Sequence, residues 1–488
     1  MFKRKPLFHM AYSLIAACAV AACSSSPLTK NYERPDLAVP DKLSLGETGR
    51  VRGASTSAVT AIDWQAWWRA FQDPVLDAFL QEAASNNQDL VLAAARMTEA
   101  HATLSQNQAN FFPQVDLNIG DNRTRVSQSV ATYSPVVGPY MNSGQVGLSA
   151  SYEIDFWGKY ASANDAARAR LLAQTANRGL VLTTLYANVA QSYFSMRALD
   201  AQVMLAQQAL VTRQESLRLQ QRRFDAGVVG ELDLRQAESE AASAEAAVRV
   251  VQQNRSNSES ALALLLGRKP ADIMRPVLAR GAQIELLVTR QTIPAELPSD
   301  VLVRRPDVVS AEQNLIAAHA DINQARAAYF PKLSLTASYG QQSQRLTNLF
   351  DPASMFWNML GNLTQPIFRA GAIDAAVAAA NARERQAVAQ YTQAVQSAFR
   401  DVHDALNNVD AGRDLTGVTL QRVDALRRTL NLANLRYKAG YSPYLEVLNA
   451  QRDLAQAESG LIDIQRGQLG AVVSLYKAVG GGWDAAKP

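Results

Sequence analysis

The chain is written twice, and that constrains its fold more than any other feature. Residues 87–117, NQDLVLAAARMTEAHATLSQNQANFFPQVDL, align with residues 305–335, RPDVVSAEQNLIAAHADINQARAAYFPKLSL, at a constant offset of 218 positions. Residues 223–245, RFDAGVVGELDLRQAESEAASAE, align with residues 436–458, RYKAGYSPYLEVLNAQRDLAQAE, at an offset of 213. Solenoid repeats recur every ~20–50 residues. A period this long is a duplicated domain, with its seam in the stretch around 268–300 that carries Pro270, Pro276, Pro294 and Pro298.

Each half reads helix, strand, strand, long helix, turn, long helix. The long helices carry sustained heptads, the mark of coiled-coil packing. In the first half Leu185, Val189, Ser192, Met196, Leu199, Val203, Ala206, Leu210, Arg213, Leu217, Gln220 and Phe224 step by four and three, and Leu234, Ala237, Ala241, Ala244, Val248, Val251, Arg255, Ser258, Leu262 and Leu265 continue after the turn. In the second half Val388, Tyr391, Val395, Ala398, Val402, Ala405, Val409, Gly412, Thr416, Thr419, Val423, Leu426, Leu430, Ala433 and Tyr437 lie on one such register, and Val447, Ala450, Leu454, Ala457, Leu461, Ile464, Gln468, Ala471, Leu475 and Ala478 on the next. Hydrophobic residues make up 48% of the chain but aromatics only 7%, so the seams are rich in Ala and the helices can approach closely. Residues 158–225 hold no proline, which allows one helix about 100 Å long. Gly227 and Gly440 follow Asp225-Ala226 and Lys438-Ala439 as C-caps.

The strands have a different composition. Residues 126–152 and 352–368 carry no charge, and Val146, Leu148, Ala150, Tyr152 and Leu333, Leu335, Ala337, Tyr339 alternate with polar residues. A core sandwich strand would alternate too, but these strands lack a helical face of large apolar residues to lie on. Alternating segments of about 10 residues are the signature of an outer-membrane barrel, and the smallest common barrels have about eight strands. Open sheet edges cannot be left in lipid. Four strands must therefore oligomerise to complete a membrane part.

The first 22 residues have a basic start, an apolar stretch from about Ala11 and small residues before a cysteine, the layout of a secretory signal. VAAC at 20–23 matches a bacterial lipobox, and IAAC at 15–18 fits as well. Cys23 is preferred over Cys18 because Ser24, Ser25, Ser26 and Pro27 then form a polar tether; a plain secretory signal with an incidental cysteine is the alternative. With Cys23 acylated and Cys18 discarded, no thiol remains for a disulfide or redox site. The 48 basic and 44 acidic side chains become 45 against 44 once residues 1–22 are removed. That balance excludes nucleic acid as an expected partner.

Together these features resemble the outer-membrane efflux protein family typified by TolC, in its lipoprotein branch of OprM-like or NodT-type channels. The resemblance rests on NYERP (31–35), DWQAWWRAFQDPVLDAFLQEA (63–83), LPSDVLVRRPDVVSAE (297–312), the paired FFP (111–113) and YFP (329–331), and RYKAGYSPYLEVLNAQRDL (436–454). It implies a mainly α fold with a β-barrel part: a trimeric, twelve-stranded outer-membrane barrel joined to a long periplasmic coiled-coil barrel. It also implies a passive exit duct that docks with a periplasmic adaptor and an inner-membrane pump, with no cofactor. Ser24 after the lipid site, where Asp would retain a lipoprotein in the inner membrane, implies the outer membrane.

In the family the periplasmic aperture is closed by tyrosine, carboxylate and arginine contacts among helices near the hairpin tips. The matching positions are Asp233, Tyr437, Leu445, Glu446, Asn449 and Arg452, with Asn449 standing where an acid is common. Three-fold symmetry would turn each carboxylate into a ring, and acidic rings favour cations. Asp233 and Glu446 would also be favoured as first-turn carboxylates by the helix dipole, and the two roles are compatible. Ala226, Gly227, Val228, Gly440 and Ser442 are the expected adaptor contacts at the tips.

The expected plan is a signal (1–22), a lipid-anchored segment with a first short helix (23–85), a first repeat (86–267), a linker (268–304), a second repeat (305–480) and a tail (481–488). His101 and His319 occupy matching repeat positions, which argues for a shared structural role rather than a metal site. His403, beside Asp401 and Asp404, lacks a second His to complete a site. Gly480-Gly481-Gly482 lacks the strand–helix context of a dinucleotide fingerprint and reads as a chain end. No constellation suggests an enzyme. Small-molecule efflux outranks metal-ion efflux and protein secretion, and the remaining class is a lipid-tethered periplasmic coiled coil that never spans the membrane.

Overall fold

A computed structural model describes residues 32–37, 42–43, 63–125, 127–129, 139–290, 297–298, 302 and 304–483. The signal, Cys18, Cys23 and His9 lie outside the described residues. Among the described residues, seven helices of 13 or more residues and four strands of 10 or more carry the fold. The helices are α1 (Pro74–Asn86), α2 (Gln88–Ala109), α3 (Lys159–Asp225), α4 (Glu231–Leu265), α5 (Pro306–Ala327), α6 (Ala372–Lys438) and α7 (Tyr444–Ala478), and the strands are β1 (Gln114–Arg125), β2 (Tyr140–Ile154), β3 (Lys332–Ser343) and β4 (Met355–Thr364). Both halves follow the order expected from sequence, and each long pair has arms of 67 and 35 residues.

The repeats are not two compact bodies. Among the described residues, those within 1–36, 98–173 and 312–390 form one unit and those within 37–97, 174–311 and 391–488 the other, so each repeat contributes to both. The physical reason is that the strands sit in the middle of each repeat and pair with the strands of the other.

In the first unit the strands form one antiparallel sheet in the order β1-β2-β3-β4. Paired residues in an antiparallel ladder face the same side, so the register sorts the two faces. Rows such as Val115–Ala150–Ala337–Met359, Leu117–Leu148–Tyr339–Trp357 and Ile119–Val146–Gln341–Met355 make one face almost wholly apolar. The opposite face carries Asn118, Asn122, Gln145, Ser149, Ser338, Asn358 and Asn362. Leu117, Ile119, Tyr339, Trp357 and Met359 are exposed. From Met355 to Leu363 the apolar face runs about 27 Å along the strand, about 21 Å of height at a tilt of roughly 40°, comparable with a barrel's apolar band of about 25 Å. Among the described residues no helix is long and apolar enough to cross a membrane.

Charge depletion marks only part of the sheet. It covers β4 and most of β2, while β1 keeps Asp116, Asp121, Arg123 and Arg125 and β3 begins with Lys332. Asp116 and Lys332 lie on the polar face at the helix-proximal end, and the other three lie at the far end, past the apolar rows.

At the foot of the sheet the Trp157 indole N–H donates to the Pro331 carbonyl at 2.8 Å, and its ring stacks on Phe330. Arg34 pairs with Glu312 at 2.7 Å, and Tyr32 packs edge-on against His319. His319 Nδ1 lies 2.7 Å from Glu384, bracing α5 against α6. His101 does not share that role: it is exposed and makes no side-chain hydrogen bond among the described residues. The difference follows its helix, since α2 is largely exposed where α5 is half-buried or buried.

The second unit has the aromatic core that the helices alone lack. A short 3-10 helix, Trp64–Phe71, and α1 bury Trp67, Phe71, Leu76 and Phe79 against Tyr193, Phe194, Met196 and Tyr476. Asp73 caps α1 through the Val75 amide at 3.0 Å, and it accepts from Tyr193 Oη at 2.5 Å and the Ala282 amide at 3.1 Å. Arg305, from the 297–312 run, is buried and donates to Ala478 O at 2.8 Å, Asp401 at 3.1 Å and Asp307 at 2.7 Å. The terminal glycines have a packing role: a Cβ on Gly481 would lie 2.8 Å from Trp67 and one on Gly482 2.8 Å from Tyr186.

Candidate functional site

Both hairpin turns are built alike. Gly227 and Gly440 sit at φ 68° and 80°, a region that costs other residues about 1–2 kcal/mol. The amides of Val228 and Gly227 bond back to Arg223 and Phe224, and those of Tyr441 and Gly440 to Arg436 and Tyr437. This pattern is the Schellman motif, in which the glycine lets the chain reverse while satisfying the last carbonyls. The turns leave Ala226, Val228, Gly440 and Tyr441 exposed and Ser442 half-buried.

Below the turns the heptad seam changes character. Leu217 and Leu430 pack with Tyr437 around Ala237, Ala433, Tyr444, Val447, Leu448 and Ala450. Two polar residues occupy seam positions of α3: Arg213 is 8% exposed and Gln220 is 1%. Burial costs a polar group unless it is hydrogen-bonded, and both find partners across the hairpins. Gln220 Nε2 donates to Tyr437 Oη at 2.9 Å, and Arg223 also donates to that hydroxyl while its guanidinium lies 5.1 Å over the ring. Tyr437 packs against Tyr444 at 5.4 Å, whose hydroxyl is held above its usual pKa by burial.

A second cluster joins α3, α4 and α7. Arg452 Nη2 reaches Glu240 Oε1 at 2.6 Å, and Arg213 Nη2 approaches the other oxygen at 3.8 Å while also donating to Gln451. Burial lowers the Arg213 pKa, with Glu240 opposing the shift. Glu446 forms an exposed pair with Arg436 at 3.6 Å.

Of the expected aperture residues, Tyr437 and Arg452 are therefore in inter-helix bonds, and Glu446 is in a weaker one. Asp233 is half-buried with no ion pair among the described residues, and Leu445 and Asn449 are exposed. Sequence reasoning missed Gln220, Arg223, Arg213 and Glu240. The signal was present at the two seam positions, Arg213 and Gln220, since a buried Arg or Gln in a heptad seam demands a partner.

Comparison with known proteins bears on the family and the fold. The family model described as outer membrane efflux protein matches residues 79–268 and 297–481, well over half of the chain. The solvent efflux pump outer membrane protein SrpC of Pseudomonas putida is 34% identical over 100% of this chain and 99% of its own length. The cation efflux system protein CusC of Escherichia coli is 32% identical over 96% of this chain and 99% of its own length. The crystal structure of the Campylobacter jejuni CmeC outer membrane channel superposes with a TM-score of 0.84 at 26% identity, covering 94% of this chain and 96% of that one.

Proposed function

The chain belongs to the outer membrane efflux protein family, and on that premise we propose that three copies close one twelve-stranded barrel, continue as a helical tunnel, and dock through their hairpin tips onto a periplasmic adaptor and inner-membrane pump. As a member it is an efflux channel of the outer membrane rather than an enzyme. The observation that carries the trimer is the sheet: four strands, one apolar face and one polar face, and two open edges at β1 and β4. Lipid cannot satisfy the hydrogen bonds of an unpaired sheet edge. The exposed α2, whose repeat-mate α5 is covered, supports a neighbouring copy on that side.

Acylation at Cys23 then adds an anchor to a protein already held by strands. Multiple acyl chains give a stable attachment where one gives a reversible one. At the hairpin turns Ala226, Gly227, Val228, Gly440 and Ser442 offer the adaptor a small-residue surface. The Tyr437 and Arg452 clusters link each hairpin to its partner, so that separating the hairpins breaks them and widens the aperture. Asp233, Glu446, Leu445 and Asn449 complete its rim.

For cargo we favour small organic molecules. The polar face of the sheet is lined by Asn, Gln and Ser, neutral groups that impose no charge selection beyond its helix-proximal end. Relatives named for solvent and for cation export match about equally well, so cargo follows from the pump the channel serves. Removing this protein from its host should raise steady-state accumulation of a fluorescent organic dye several-fold, with recovery on re-expression. Unchanged dye accumulation together with new sensitivity to copper or silver salts, or with loss of a secreted protein, would overturn the cargo assignment.

A further inference from the structure

The apolar face of the sheet ends in an unbalanced basic group. Past the last apolar row, Ile119–Val146–Met355, β1 continues on the same face with Asp121, Arg123 and Arg125, opposite Gly144, Asn142 and Tyr140. Both arginines are exposed, and neither forms an ion pair among the described residues. Their guanidinium carbons lie 5.3 and 5.8 Å from the centre of the Tyr140 ring, so one aromatic ring gathers both. No acid follows in the adjoining loop, because residues 126–152 carry no charge. Asp121 is the one carboxylate of this face at that end of β1.

We propose that Arg123 and Arg125, gathered over Tyr140 at the outer end of the lipid-facing surface, bind the phosphate of an anionic glycolipid headgroup in the outer leaflet. The height fits. Arg123 and Arg125 lie about 13 and 20 Å of strand beyond Ile119, less once the strand tilts by roughly 40°. The headgroup layer adds about 5–8 Å per leaflet, and arginine stems reach back toward it. Tyrosine is at home at that level. Guanidinium is also the group best matched to phosphate, through paired N–H donors. Two arginines on alternate residues of one strand point the same way, so that both can reach one anion. The assignment rests on the apolar face meeting lipid, which the barrel reading supplies.

The test uses the full-length channel, extracted in mild detergent, stripped of co-purified lipid and titrated with a bisphosphorylated diglucosamine lipid under native mass spectrometry. The wild type should bind it, and its phosphate-free counterpart should bind far more weakly. At about fivefold per arginine near an anionic surface, R123Q/R125Q should weaken binding roughly thirtyfold. Binding by the double variant within twofold of wild type contradicts the proposal. So does equal binding of the phosphate-free lipid, or displacement by millimolar inorganic phosphate. The trimer mass in the same spectra separates loss of the lipid site from failure of the barrel. Should R123Q/R125Q fail to assemble, D121N gives a second readout: tighter binding is expected, and unchanged or weaker binding overturns the assignment.

Discussion

Tyr437 takes donors from Gln220 and Arg223 on the opposite hairpin, and Arg452 meets Glu240 in the same way. A hydrogen bond to a charged group contributes about 1.5–3 kcal/mol, and each 1.4 kcal/mol is a tenfold change in an equilibrium. If these links hold the hairpins together, Tyr437→Phe combined with Arg452→Ala should raise single-channel conductance in planar bilayers at least several-fold. Conductance equal to wild type would remove them from the gate. A different residue reports on folding. Tyr476, 1% exposed and stacked on Trp67, has its pKa pushed up to about 12 by burial. Because the folded pKa is raised, its contribution is complete below pH 10 and is lost as pH climbs from 10 to 12, about 2–3 kcal/mol in all. Tyr476→Phe should leave neutral-pH stability within about 1 kcal/mol and flatten the fall in Tm over that window, whereas an unchanged alkaline fall contradicts the assignment. Tyr193, raised by burial and by Asp73, acts in the same direction and remains in the variant. At this scale the sequence was half legible. Tyr437 and Arg452 were found by their place in a motif, but Gln220 and Arg213 were read as seam positions because heptad spacing reports direction and not partner.

At the scale of elements, periodicity carried most of the information. Val189, Met196, Val203, Val402, Val409 and Val423 were placed on seams by spacing alone and are buried. Phe224, the last position of the first seam, is instead 37% exposed, because the helix ends one residue later and has no further turn to cover it. Strand faces were read correctly from Val146–Tyr152 and Leu333–Tyr339. Strand limits were not, since β1 carries four charges and alternates apolar with polar residues only as far as Ile119. Period two allows a sharp test. Leu117 and Asn118 are consecutive on β1 but face opposite sides. Leu117→Lys should cost about 2–4 kcal/mol of barrel stability and cut the folded, heat-resistant fraction in outer membranes severely, while Asn118→Lys should assemble normally. Equal assembly of the two variants would mean that the apolar face does not meet lipid.

For the whole molecule, duplication was plain from the offsets of 218 and 213 residues, but the division into compact units was not. Each unit draws on both repeats, because strand pairing across the repeats outweighs the continuity of either one. The early segment with Trp67, Phe71 and Phe79 was known only by resemblance, since its partners Tyr193, Phe194 and Tyr476 lie more than a hundred residues away. Everything proposed for the assembly depends on one consequence of the sheet: four strands with edges at β1 and β4 need company in a bilayer. Light scattering on the channel extracted from outer-membrane fractions, corrected for detergent, addresses this directly. The predicted mass is that of three mature chains, unchanged on dilution. A monomer that remains folded in detergent, or a species found only in the periplasmic soluble fraction, would contradict the account.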